Sequence, residues 1–207
     1  MGEKTRTVAD GETPKGWDHD PPPKQKWTPL GILAVATGAL CLIFGSRETS
    51  DFWVDGLQFW WTKVQGSFGS VRRLVIYLDN GPHNSGSRTQ FLKRMVGFAD
   101  WSGLEIRLVY HPPYHSKYNP IERCWGRLEQ HWNGTLLDRI ETVLAFAGSM
   151  QWKGKHPTVE LITTPYEIGV RLTQKAMKVL ETKVRRLPGL GKWFVEIRPD
   201  TILTGTT

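Results

Sequence analysis

Two carboxylates in the middle of the chain have the type and setting that metal-dependent chemistry on phosphate esters requires. Asp79 ends the apolar run Leu74–Leu78 and precedes a glycine-bearing loop. Glu122 follows a proline-bracketed loop and stands in the first turn of a predicted helix. Carboxylates hold hard cations such as magnesium, and two such ions can promote in-line attack on a phosphodiester. The pair therefore predicts part of a two-metal site.

Each acid also has a purely structural interpretation. Asp-Asn-Gly at residues 79–81 is a favoured turn sequence, in which the Asp side chain bonds nearby backbone amides. Glu122 lies three residues after Asn119, which is the capping-box position for a glutamate. A capping position would also fix the direction of the carboxylate, so the structural and chemical roles are compatible.

Basic and aromatic side chains share the loops around both acids. The basic ones are His83, His111, His115, Lys117 and Arg123. They could contact phosphates or orient an attacking group, or they could form a solvated rim. Tyr114 and Tyr118 would stack on bases or pack under the proline loop, whereas Trp125 and Trp132 share a helical face and are predicted to be core. Cys124 has no neighbouring base, so we do not interpret it as a nucleophile.

The elements predicted around these residues alternate between strands and helices. The strands are expected at 28–36, 39–44, 73–78 and 104–110, and the helices at 50–64, from 87 or 89 to 102, and at 120–132. Helical segments follow around 136–150 and 165–180, and a strand-like run at 193–197 lies near the end. A hairpin leading into alternating elements predicts an α/β fold, with a mixed sheet covered by helices.

Composition favours a polyanionic partner. The 207 residues carry a net charge of +7 and a pI near 9.5, which favours nucleic acid. Two cysteines form neither a disulfide framework nor a zinc pattern, so a reducing cytoplasm is expected. Residues 1–26 are too polar for a signal peptide. The uncharged stretch 30–45 is shorter than the roughly 20 residues that a spanning helix needs, so no membrane association is expected.

The motifs around the two acids resemble a known family. The stretch 78–81 (LDNG) and the long motif at 111–123 (HPPYHSKYNPIER) are similar to the catalytic core of DDE-type insertion-sequence transposases, in the Rhodopirellula-type group related to mariner-like enzymes. Shorter matches lie at 17–20, 29–32, 48–52, 88–91 and 131–134, so the similarity runs from about Trp17 to about Trp193.

The resemblance implies an RNase H-like fold and DNA transposition by strand cleavage and joining. Asp79 matches the family's second acid and Glu122 its third, so both would be catalytic and would hold two Mg²⁺ or Mn²⁺ ions. Transposon ends and target DNA would be the partners, bound by a homo-oligomer on the bacterial nucleoid. The residues that would contact DNA are His83, Arg88, His115, Lys117 and Arg123.

The family's first acid has no match in this chain. It should end an apolar strand ahead of the hairpin, but Asp10, Asp18 and Asp20 lie in polar, glycine- and proline-rich sequence. A helix-turn-helix region is not matched either. We therefore expect a polar arm at 1–26, an RNase H-like core at 27–134 without its central first strand, and a helical extension at 135–207 with a short terminal strand.

A chain that begins after the first acid is expected to be inactive. It is also expected to be marginally stable, because unpaired strand edges are costly. Two other functions stay open at this point. One is a non-catalytic remnant that binds DNA by charge, and the other is an RNase H-like nuclease acting on RNA or on a hybrid.

Overall fold

The computed structural model describes residues 26–112, 115 and 118–200. The chain divides into two compact units, Met1–Arg47 with Pro120–Thr164 and Glu48–Asn119 with Pro165–Thr207. The arm expected at 1–26 lies, except for Lys26, outside the described residues. The predicted boundaries at 26 and 134 stay a prediction.

Seven strands and five α-helices form the described part of the chain. The strands are β1 (Thr28–Ala34), β2 (Ala39–Gly45), β3 (Arg73–Leu78), β4 (Glu105–Tyr110), β5 (Thr158–Ile162), β6 (Val184–Arg186) and β7 (Phe194–Ile197). The helices are α1 (Ser50–Val64), α2 (Thr89–Ser102), α3 (Ile121–Trp132), α4 (Ile140–Ser149) and α5 (Gln174–Glu181).

The first unit contains a three-stranded mixed sheet. β1 and β2 form the predicted antiparallel hairpin, and β5 pairs with β2 in parallel. The hairpin turns because the amides of Thr37 and Gly38 bond the Ala34 carbonyl, with Gly38 at a φ of 70°, a conformation that glycine adopts without steric cost. The uncharged stretch is therefore strand. Among the described residues, no helix is both long enough and apolar enough to cross a membrane.

The core of this unit lies between β2 and the helices α3 and α4. Its buried members are Leu40, Leu42, Phe44, Cys124, Leu128, Val143, Ala147 and Met150. Trp125 and Trp132 pack against this cluster, which confirms the prediction that they are core residues. α3 thus turns its apolar stripe to the sheet and leaves its charged residues outside.

The second unit contains a four-stranded mixed sheet in the order β3-β4-β7-β6. β3 and β4 are parallel, and β7 is antiparallel to both β4 and β6. Helix α1 begins where predicted, because the Thr49 side chain accepts a 3.1 Å hydrogen bond from the Phe52 amide. Helix α2 ends where predicted, because Gly103 takes the left-handed conformation at a φ of 69°.

The mixed α/β class is confirmed, but the strands form two sheets instead of one. β1 and β3 each lie at an edge of their own sheet. The prediction missed β5 and β6, which are only five and three residues long. It also made the last two helices too long. Residues 136–139 and 165–173 are not helical, and the second of these segments contains Pro165 and Gly169, both of which disfavour a helix.

Candidate active site

Asp79 follows directly after β3, at the carboxyl end of the strand. β3 runs parallel to β4, and the His111 amide donates a 2.8 Å hydrogen bond to the Leu78 carbonyl. The carboxyl ends of parallel strands meet at the same edge of a sheet, which is where open α/β sheets bind ligands. Asp79 and His111 therefore stand together at the edge where a ligand is expected, and Asp79 is exposed there.

The carboxylate of Asp79 is held by one of its two oxygens. Oδ1 accepts hydrogen bonds from the Gly81 amide at 3.3 Å and from Nδ2 of Asn84 at 2.9 Å. The turn interpretation is correct to this extent, and Asn80 takes the left-handed conformation that the turn requires, at a φ of 60°. Among the described residues Oδ2 has no hydrogen-bond partner, so this oxygen is available to a cation.

His83 and Arg88 lie near each other beyond the same turn. Both line a shallow pocket with Thr49, Ser50 and Asp51 of the α1 amino end. Ser50 donates a 2.7 Å hydrogen bond to the His83 carbonyl, which fastens this part of the loop to α1. The Arg88 Nε is buried and has no partner within the described part of the chain. A cation and a histidine beside a helix amino end suit a phosphate group, whereas the carboxylates of Asp51 and Glu167, which line the same pocket, oppose one.

The proline loop after β4 is described only in part. His115 is exposed, and its ring stacks on that of Tyr118 with 5.9 Å between centroids. His111 instead packs against Tyr77, also at 5.9 Å. Lys117 and Tyr114 lie outside the described residues.

Glu122 stands on the exposed side of the first turn of α3. The direction of this helix is set by Ile121 and Trp125, which pack toward β1 around Gly31. The prediction that Asn119 caps this helix is wrong. α3 begins at Ile121, and Pro120 stands at the cap position without a side-chain hydrogen bond to the helix. Glu122 makes no hydrogen bond or ion pair that involves a described residue. Its carboxylate therefore does not cap the helix and is available to a ligand.

The neighbours of Glu122 on α3 divide between solvent and core. Arg123 is exposed beside it, as a residue that contacts a polyanion must be. Cys124 points into the core, where burial raises the pKa of its thiol to about 11. A thiol so rarely ionised at neutral pH is a poor nucleophile, in agreement with its interpretation as a structural residue.

The donors at Asp79 and Glu122 are of the kind that magnesium and manganese prefer. Each side chain offers a carboxylate oxygen with no partner among the described residues. No group of three or more His, Cys, Asp or Glu side chains within the described ranges is gathered closely enough to hold a metal. Each acid by itself thus has the donor chemistry of a metal ligand.

A comparison with protein families identifies the family to which the chain belongs. The family model described as the Rhodopirellula transposase DDE domain matches residues 2–199. This chain belongs to that DDE transposase family. No curated protein and no solved structure matches the transposase domain. The resemblance predicted from the motifs at 78–81 and 111–123 is therefore confirmed, together with a transposase function.

Asn84 contacts Asp79, and sequence reasoning missed it. It is almost completely buried, yet it bonds an exposed acid five residues earlier. The only signal in the sequence is that Asn84 lies in the loop that follows the strand-ending acid. The Asp-Asn-Gly turn hides this signal, because the turn explains the loop without Asn84.

Proposed function

We propose that Asp79 and Glu122 are two of the three acids of a transposase that cleaves and joins DNA strands by two-metal phosphoryl transfer. The observation that carries the proposal is the position of Asp79. It is exposed at the carboxyl end of β3, one oxygen is fixed by two donors, and the other has no partner among the described residues. The match to the DDE domain over residues 2–199 supports the same chemistry.

In this proposal Asp79 and Glu122 would hold Mg²⁺ or Mn²⁺. The ions, when bound, supply Lewis acidity and activate water or a DNA 3′-hydroxyl. The chain's own residues then bind the DNA and orient the two carboxylates. The turn at 79–84 fixes the Asp79 carboxylate, and the packing of Trp125 on Gly31 fixes the helix that carries Glu122. The resemblance matches no residue of this chain to the first acid, and we assign none.

DNA is the substrate and principal partner in the proposal. His83, Arg88, His115, Lys117 and Arg123 would contact its phosphates, where charge fixes the position of the duplex without reading its sequence. The net charge of +7 favours this binding. A homo-oligomer assembled on the two ends of the element, associated with the nucleoid in the cytoplasm, completes the proposal.

The test is a cleavage and joining assay on DNA that carries the element's own terminal sequences. Wild type would be compared with Asp79→Asn and Glu122→Gln in a protein that also carries the first acid, with Mg²⁺ as the added ion. Because loss of a metal ligand removes several kcal/mol of transition-state stabilisation, we expect cleavage to fall at least about 100-fold. DNA binding should be retained.

Glu129→Gln is the matched control for Glu122→Gln. Glu129 is an exposed glutamate on the same helix, and its variant should cleave like wild type. Undiminished cleavage by Asp79→Asn would contradict the proposal. Salt-sensitive DNA binding by a wild type that cleaves nothing would instead indicate a DNA-binding remnant. Cutting of RNA or a hybrid, without joining of DNA ends, would indicate a nuclease.

A further inference from the structure

We propose that Asn84 is a positioning residue for Asp79, which holds one carboxylate oxygen so that the other is presented to a divalent cation. The inference rests on the proposed function, because it assumes that Asp79 binds metal. It goes beyond that function in giving a role to a buried amide that does not itself touch DNA or the reacting atoms.

The hydrogen bond between the two side chains has a defined direction. Nδ2 of Asn84 lies 2.9 Å from Oδ1 of Asp79, and a carboxylate can only accept, so the amide NH₂ must face it. The Gly81 amide donates to the same oxygen. Two donors on one oxygen fix the rotation of the carboxylate and leave Oδ2 without a hydrogen-bond partner among the described residues. Partners of this kind orient the ligands of metal sites.

Asn84 is itself held firmly enough to position another group. Its exposed fraction is 2%. Its main-chain carbonyl accepts a 3.0 Å hydrogen bond from the buried hydroxyl of Tyr110 on β4. Two residues later, Gly86 approaches the Tyr110 ring so closely that a Cβ atom there would lie 3.1 Å from it. The loop is thereby fastened to β4, the strand next to the one that ends at Asp79.

The amide oxygen of Asn84 takes no part in the hydrogen bonding of the described residues. Oδ1 is buried and has no partner among them, and the side chain's one hydrogen bond to a described residue is the one to Asp79. Gln90 has the same features, because its Oε1 is also buried without a described partner and its NH₂ group faces the Asp51 carboxylate. What distinguishes Asn84 is the acid that it holds, which is exposed at the carboxyl end of β3.

The experiment measures Mn²⁺ binding to the whole chain by calorimetry or by the electron paramagnetic resonance of the free ion. Asn84→Ala should weaken Mn²⁺ binding about tenfold, the lower end of the loss seen when such partners are removed. Asp79→Asn should abolish binding to this site. The double variant should bind no more weakly than Asp79→Asn alone, because Asn84 acts only through Asp79.

Gln90→Ala is the matched control. Gln90 is also a buried amide, and it donates to the carboxylate of Asp51 at 2.9 and 3.1 Å. Its variant should lower the melting temperature to a degree similar to Asn84→Ala and leave Mn²⁺ affinity unchanged. A merely structural role of Asn84 would make the two variants behave alike, and that result would overturn the inference.

Tyr110→Phe keeps the proposal testable if Asn84→Ala does not fold. The variant retains the ring that packs on Gly86 and removes only the hydroxyl that donates to the main-chain carbonyl of Asn84. We expect Mn²⁺ affinity to fall two- to fivefold. This is less than the effect of Asn84→Ala, because the Asn84 side chain is still present to orient Asp79. Unchanged affinity would overturn the inference. Equal Mn²⁺ binding by wild type and Asp79→Asn would instead overturn the proposed function.

Discussion

Trp125 of α3 covers Gly31 of β1 so closely that the glycine has no room for a side chain. A Cβ atom at Gly31 would lie 2.6 Å from Cζ2 of the indole and 3.2 Å from Cδ1 of Ile121. Both contacts come from the helix that carries Glu122. The packing of α3 on its sheet therefore requires that position 31 has no Cβ atom. The direction of the Glu122 carboxylate depends on the same packing.

Gly31→Ala is expected to destabilise the protein by about 1–3 kcal/mol, because overpacking forces a shift of the indole. Denaturant unfolding measures the loss. Strand cleavage should fall by more than the population of unfolded protein explains, since a displaced α3 also displaces Glu122.

Gly126→Ala on the same helix is the control for Gly31→Ala. A Cβ atom at Gly126 would meet nothing within 4 Å, and alanine is the better helix former, so stability should rise by about 0.5–1 kcal/mol. Equal stability changes in the two variants would contradict the packing account.

The two cysteines should resist thiol reagents in the native protein at pH 8. Burial raises the pKa of Cys124 to about 11, and burial with the nearby charge of Glu160 raises that of Cys41 to about 12. Labelling with a chromogenic disulfide should be slow until denaturant is added, because the thiolate is the reactive form. Rapid native labelling of Cys124 would contradict its placement in the core.

The same shifts predict how the two thiols affect stability at high pH. Each folded-state pKa lies above the ordinary thiol pKa of 9.0, so the folded state holds the proton more tightly than the unfolded chain. The stabilisation is complete below about pH 9 and is lost as pH rises toward 11 and 12. A double Cys→Ala variant should show a smaller decline in unfolding free energy between pH 9 and 11 than wild type.

Arg123→Ala should weaken DNA binding almost equally for all sequences. Arg123 is exposed beside Glu122, and loss of one phosphate contact lowers the slope of log affinity against log salt by about 1. Fluorescence anisotropy at several salt concentrations gives this slope. Lys175→Ala, at an exposed lysine of α5 outside the proposed contact set, should leave the slope unchanged, and equal slopes for wild type and Arg123→Ala would contradict the assignment.

The elements that position the two acids could be predicted because their signals are local. α1 begins after the capping residue Thr49, and α2 ends at Gly103 in the left-handed conformation. β3 matches its apolar run. The roles of Asp79 and Glu122 stay predictions, which rest on the motifs in which the two acids stand. Trp125 and Trp132 were predicted as core from helical spacing alone.

What the sequence could not predict depends on distant partners. β5 pairs with β2 across more than a hundred residues of chain, and its five residues give only a short strand signal. The division of the strands into two sheets is likewise a property of pairing, which no single segment encodes. Asn84 escaped prediction because its burial depends on Tyr110, a residue on another strand.

Iron-directed cleavage of the polypeptide tests the central claim most directly. Fe²⁺ would replace Mg²⁺ in the chain, and ascorbate with peroxide would generate hydroxyl radicals at the bound ion. We predict backbone cuts near residues 79 and 122 that excess Mg²⁺ suppresses. Asp79→Asn should abolish the cuts near 79, and Glu122→Gln those near 122. Cuts remote from both acids, or cuts that neither variant changes, would contradict the assignment of Asp79 and Glu122 as the metal-binding acids of this transposase.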